Sequence, residues 1–200
     1  MTSSAIIRDI ESLSNSGSGF LAYFYFDCKD TRKQDSHALL SSLLDQLSNQ
    51  SDQLCDVLRG LFSKHHDGLE QPVNDALLQC LKDMLTLPRS LPIYLVMDAL
   101  DECPNDSGYP SSRESVLRIV EELVELRLPN LHLCVTSRPE LDIRTIIKPL
   151  ATQEISLHDE IGQTRDINAY ITFVAQSVKH WRDDDKTMVI DKLTEDADGM

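Results

Sequence analysis

Three carboxylates stand directly after a short apolar run. Ile93–Met97 carries no charge, and Asp98-Ala-Leu-Asp101-Glu102-Cys103 follows it at once. Five apolar residues without polar alternation read as a strand buried on both faces. An unpaired carboxylate at the end of such a strand costs roughly several kcal/mol, so acids gathered there point to a cation. In open parallel sheets, ligands bind beyond the carboxyl ends of the strands. The chemistry that fits is an Asp holding Mg2+ beside nucleotide phosphates, with a neighbouring acid orienting the attacking water. The competing reading is a plain Asp-rich turn, since Asp also caps helices and closes turns.

A second segment has the same build. Leu131–Val135 is a short apolar run that ends in Thr136-Ser137-Arg138-Pro139. Pro stops the strand, and the guanidinium fork of Arg suits a phosphate oxygen pair. Alone, Arg138 reads as a solvated strand-end residue. Two such strands separated by a single helix favour the phosphate reading.

These residues need a scaffold that brings strand ends together. Apolar positions 6, 7, 10 and 13 have helical spacing, and Asn15-Ser-Gly-Ser-Gly19 ends that helix. Phe20–Phe26 is aromatic and strand-favouring. Ser36 is the expected cap of a helix over 37–48, with a stripe of leucines at 39, 40, 43, 44 and 47. Helices are predicted over 52–63 and 73–85, and another over 112–126 with Ser112 as its cap. A short helix is predicted over 141–147 and a strand over 154–157, followed by helices over 164–181 and 186–197. Helices alternating with strands are the pattern of a parallel sheet with crossover helices.

The two strand-end segments resemble the NACHT-type P-loop NTPases of the STAND class, in particular the NLR-like group in fungal proteins described as nephrocystin-like N-terminal domains. Leu21–Asp27 is similar to the family's second strand and Leu39–Leu47 to the helix after it. Val96–Cys103 resembles its Walker B segment and Val135–Pro139 its sensor 1. Asp166–Ile171 and Asp196–Met200 resemble parts of the helical region that follows. By that resemblance Asp98 takes Mg2+ through water, and Asp101 or Glu102 is the catalytic base that positions water. Arg138, with Thr136 and Ser137, faces the nucleotide, Arg138 sensing the γ-phosphate.

The implied fold is a three-layer α/β P-loop NTPase-type parallel sheet, over residues 1–158, followed by the start of a helical subdomain over 159–200. The family's strand order 2-3-4-1-5 assigns 20–27, 92–98, 131–136 and 153–157 to strands 2, 3, 4 and 5. The Walker A pattern G-x-x-x-x-G-K-[ST] occurs nowhere in the sequence. Thr2–Glu11 resembles the helix just after that loop, so the expectation is a fragment that lacks the P-loop strand. The cofactors implied for the intact family are Mg2+ and ATP or GTP, and the fragment is expected to bind neither well and to be inactive.

Composition narrows the partners. A net charge of −14 argues against nucleic acid and against an anionic membrane surface. Five scattered cysteines without a C-x-x-C pair read as reduced thiols in a cytoplasmic protein. Cys134 reads as core, and Cys103 has no cationic partner in sequence to make it a nucleophile. Adjacent His65 and His66 diverge on any helix and lack a third ligand nearby. The resemblance implies a nucleotide-gated signalling switch of the kind linked to fungal nonself recognition, joined to ankyrin or WD repeats that bind protein partners. Two other readings remain: an interaction module on the same scaffold without nucleotide, and a Mg2+-dependent phosphotransfer enzyme using the acids alone.

Overall fold

The computed structural model describes residues 2–65, 71–87, 91–108, 110–156, 160–178 and 181–197. The chain divides into two compact units, Met1–Ala151 and Thr152–Met200.

The first unit runs α1 (Thr2–Asn15), β1 (Phe20–Tyr25), α2 (Ser36–Ser48), α3 (Asp52–Lys64), α4 (Asn74–Thr86), β2 (Ile93–Asp98), α5 (Ser112–Glu125), β3 (Leu131–Val135) and α6 (Leu141–Leu150). The three strands form one parallel sheet in the order β1-β2-β3. Phe20 pairs with Ile93 and Tyr25 with Asp98, while Ile93 pairs with Leu131 and Met97 with Val135. The run Ile93–Met97, with no polar alternation, is therefore the central strand, paired on both sides.

Alternate side chains of β2 enter two different cores. Ile93, Leu95 and Met97 join the large one, with Phe24 and Phe26 from the β1 side, the α2 leucines, and residues of α4 and α5. Val96 and Leu21 face the other way and meet Ile7 of α1. The fold around the sheet is thus α1, the sheet, then a helical layer, with α2 packed on β1, α3, α4 and α5.

Two helices are capped one residue earlier than the sequence suggested. Asp35, not Ser36, caps α2: its carboxylate accepts from Ala38 N at 2.8 Å, and the Ser36 hydroxyl accepts from Asn74. Ser111, not Ser112, caps α5. The reason is the acid three residues on, since Glu114 completes a reciprocal capping box with Ser111, whereas the same spacing from Ser112 reaches Ser115. Helix α6 also runs past its expected end to include Pro149, which sits in the last turn, where the missing N–H removes one hydrogen bond only.

The second unit holds α7 (Glu160–Ser177) and α8 (Asp183–Ala197), packed on each other. The strand expected within 153–157 does not form over the described residues 153–156. Its single described large apolar side chain, Ile155, is 74% exposed, too little burial to hold a strand in place. Leu157 and His66 lie outside the described residues. No helix among the described residues is long and apolar enough to cross a membrane.

Candidate functional site

The carboxyl ends of the three strands carry most of the residues singled out in the sequence. Asp98 closes β2. The Thr136 hydroxyl, just past β3, donates to Asp98 Oδ1 and accepts from Ala99 N at 3.0 Å. Thr136 N donates to Met97 O at 2.9 Å, and Thr136 O accepts from Leu100 N at 2.9 Å. Four hydrogen bonds thus tie one threonine to the end of the neighbouring strand, and one of them fixes the orientation of the Asp98 carboxylate. A carboxylate that ligates a metal needs such an orienting bond.

The backbone then turns sharply. Ala99 is left-handed, with φ 56 and ψ 48, and leads into one turn of 3-10 helix at Leu100–Glu102. A left-handed alanine costs about 1–2 kcal/mol, because its Cβ crowds the following carbonyl. Such conformations persist where the surroundings impose them, and they cluster at functional sites. Here the Thr136 bonds on either side of Ala99 impose it. Leu100 is buried beneath the turn, which presents Asp101 and Glu102 towards the strand ends.

The two acids have different surroundings. Asp101 Oδ1 accepts from Arg138 N at 3.0 Å, and its other oxygen lies 3.4 Å from Arg138 Nε. Its side chain is only 10% exposed, whereas Arg138 is 82% exposed. Glu102 Oε2 accepts from Cys28 N at 3.1 Å. Ser137 is exposed, and its hydroxyl donates to Arg138 O at 2.8 Å.

Sequence reasoning missed two neighbours. Ligand atoms of Asp27, Cys28 and Glu102 lie within 4.8 Å of one another. The signal for Asp27 was present, because it follows an apolar strand just as Asp98 does. Cys28 could not be anticipated, since its place beside Glu102 depends on the β1–β2 pairing. The donors of the site are mostly carboxylate oxygens, which suit a hard cation such as Mg2+. A nucleotide triphosphate is a poorer fit, because no G-x-x-x-x-G-K-[ST] loop is present in the sequence to wrap phosphates in backbone N–H groups.

Cys103 is fully buried beneath the site. Its thiol donates to Gln34 O at 3.2 Å, and burial pushes it up to about 12, outweighing the nearby Arg113 charge. Arg113 itself is buried, at 6% exposure, and was not singled out in the sequence. Its guanidinium donates to Cys103 O at 2.9 Å, Asp101 O at 2.7 Å and Asp142 Oδ2 at 3.1 Å, and also to Glu140 Oε2. Burial works against its charge, but the bonds to Glu140 and Asp142 prevail and keep it protonated.

Comparison with curated proteins and with solved structures gave no match. The family model described as "Nephrocystin 3, N-terminal" matches residues 1–138, a span that includes every strand of the sheet and ends on Arg138. The chain belongs to the nephrocystin-3 N-terminal family.

Proposed function

We propose that this chain carries the metal-facing and terminal-phosphate-facing half of a nucleotide site in a NACHT-type, STAND-class signalling switch. The observation that carries the reading is the Asp98–Thr136 bond across two adjacent parallel strand ends, beside the Asp101–Arg138 pair. Asp98 takes Mg2+ through water. Glu102 is better suited than Asp101 to position the attacking water, because the Asp101 carboxylate is nearly buried and already holds Arg138. Arg138 is the sensor: a terminal phosphate competes with Asp101 for its guanidinium.

Without a phosphate cradle in its sequence, the chain binds nucleotide weakly by itself. Calorimetry with Mg-ATP and Mg-GTP is expected to show no saturable heat at micromolar nucleotide. A micromolar Kd for either would overturn this.

A second reading, a protein-interaction module without nucleotide, draws support from α7. Tyr170, Phe173 and Val174 fall at i, i+3 and i+4 and are all exposed. A linked repeat domain of the ankyrin or WD type is the partner this reading calls for.

A further inference from the structure

Arg113 sits behind the acid turn, bonded to its carbonyls. It is the second residue of α5, and its backbone N–H donates to Pro104 O at 3.1 Å. Its guanidinium bonds fall into two groups. Two go to carbonyls of the acid turn, Asp101 O at 2.7 Å and Cys103 O at 2.9 Å. The other two go to Glu140 and to Asp142, the latter at 3.1 Å, at the start of α6. Those carboxylates follow Arg138 by two and four residues. Asp101 reaches the same segment from the other side, through Arg138 N at 3.0 Å. The contacts close a ring: Asp101 side chain, Arg138, Glu140, Arg113, Asp101 carbonyl.

We propose that Arg113 is a positioning residue that locks the acid turn in register with the Arg138 segment, so that displacing either one displaces the other. The proposal rests on the reading of the acid turn and Arg138 as the metal and phosphate elements, and it supplies the link between them. A guanidinium suits the task because its fixed fork reaches two carbonyls and two carboxylates at once, which a lysine ammonium does not. The guanidinium itself is buried, which makes loss of its partners costly, while the Glu140 and Asp142 carboxylates reach it from the surface, 42% and 38% exposed. When a phosphate draws Arg138 off Asp101, the movement passes through Glu140 and Arg113 to the carbonyls that shape the turn bearing Glu102, and along α5.

Amide hydrogen exchange on the 200-residue chain tests this without metal or nucleotide. Arg113→Lys is expected to speed exchange at least tenfold at Glu102, Cys103 and Arg138, with the β1–β2 ladder amides unchanged within twofold. The Arg138 amide is the decisive one: its acceptor is Asp101, not Arg113, so a local packing defect at Arg113 leaves it protected. A rise that stops short of Arg138, or a uniform rise over the whole unit, overturns the proposal. The paired change Glu140→Gln with Asp142→Asn decides the matter even if Arg113→Lys fails to fold. It is expected to speed exchange at Glu102 and Cys103, which neither residue touches, and no change there overturns the coupling. Because no ligand enters this measurement, a failed metal or nucleotide titration leaves its result standing, and the reverse holds as well.

Discussion

Thr136 shows how a residue outside the acid cluster can set its geometry. Its hydroxyl serves Asp98 and Ala99 N together, so Thr136→Val keeps the shape of the side chain and removes both bonds. Leaving a carboxylate oxygen and a backbone N–H without that partner is expected to cost about 1–3 kcal/mol in urea unfolding. Ser137→Ala, at an exposed hydroxyl one residue on, is expected to stay within about 0.5 kcal/mol. Equal effects would show that the Thr136 bonds do not hold the turn. Cys103 gives a second residue-level outcome. At pH 8 an alkylating reagent should label exposed Cys28 and leave Cys103 unmodified until the chain unfolds. The linkage sign follows from the raised thiol value. An unfolded Cys ionises near ~8.5, so the neutral buried thiol contributes its full stability below that pH. That contribution is lost as pH rises towards about 12. Asp98 and Arg138 were legible in the sequence because each stands where an apolar run meets polar residues. Arg113 was not, because a charged residue at the start of a helix reads as solvated, and only the fold reveals that three segments close over it.

At the scale of elements, the type of each strand and helix was visible and the boundaries were less so. The caps of α2 and α5 each shifted by one residue: Glu114 selects Ser111 over Ser112 through the reciprocal capping box, while in α2 Asp35 takes the Ala38 amide and the Ser36 hydroxyl is engaged by Asn74. The outer edge of β1 carries a device that spacing alone could not disclose. Gln50 exchanges two hydrogen bonds with Leu21, at 3.0 and 2.6 Å, and Gln46 does the same with Tyr23, at 3.0 and 2.7 Å. Two glutamines one helical turn apart on α2 and its C-terminal cap region stand in for a neighbouring strand. They satisfy the outward N–H and C=O groups that would otherwise recruit another chain. In sequence, Gln46 and Gln50 look like solvated helix positions, and the register of α2 on β1 gives them their role. The double change Gln46→Ala with Gln50→Ala is expected to raise light scattering on mild heating and to lower the melting temperature by several degrees. The basis is four lost hydrogen bonds at roughly 0.5–1.5 kcal/mol each. An unchanged melting temperature and clear solutions would show that the edge needs no seal.

For the whole molecule, the alternation of helices and strands specified a parallel α/β sheet, and three parallel strands in the order β1-β2-β3 are found. The fourth strand expected within 153–157 is not found over the described residues 153–156, where the one large apolar side chain, Ile155, is exposed and gives no burial that selects strand over an irregular segment. Family membership rests on residues 1–138, which hold the acid turn and Arg138 but neither α6 nor the second unit. The partners of Arg113 at Glu140 and Asp142 therefore lie just beyond the matched span. The parallel sheet explains why the acids converge: strands running the same way deliver Asp27, Asp98 and Thr136 to one end, and the left-handed Ala99 folds Asp101 and Glu102 back over it.

The central claim is that this end of the sheet receives a divalent cation at Asp98. Paramagnetic broadening of amide signals by Mn2+, a stand-in for Mg2+, tests it most directly, because it reads position even when affinity is weak. Titration of Mn2+ into the chain should first broaden the amides of Asp98, Ala99, Glu102 and Thr136, and Asp98→Asn should abolish that pattern while leaving the fold intact. Excess Mg2+ should reverse it. Broadening centred elsewhere on this acidic surface, or a pattern at these amides that survives Asp98→Asn, would contradict the account.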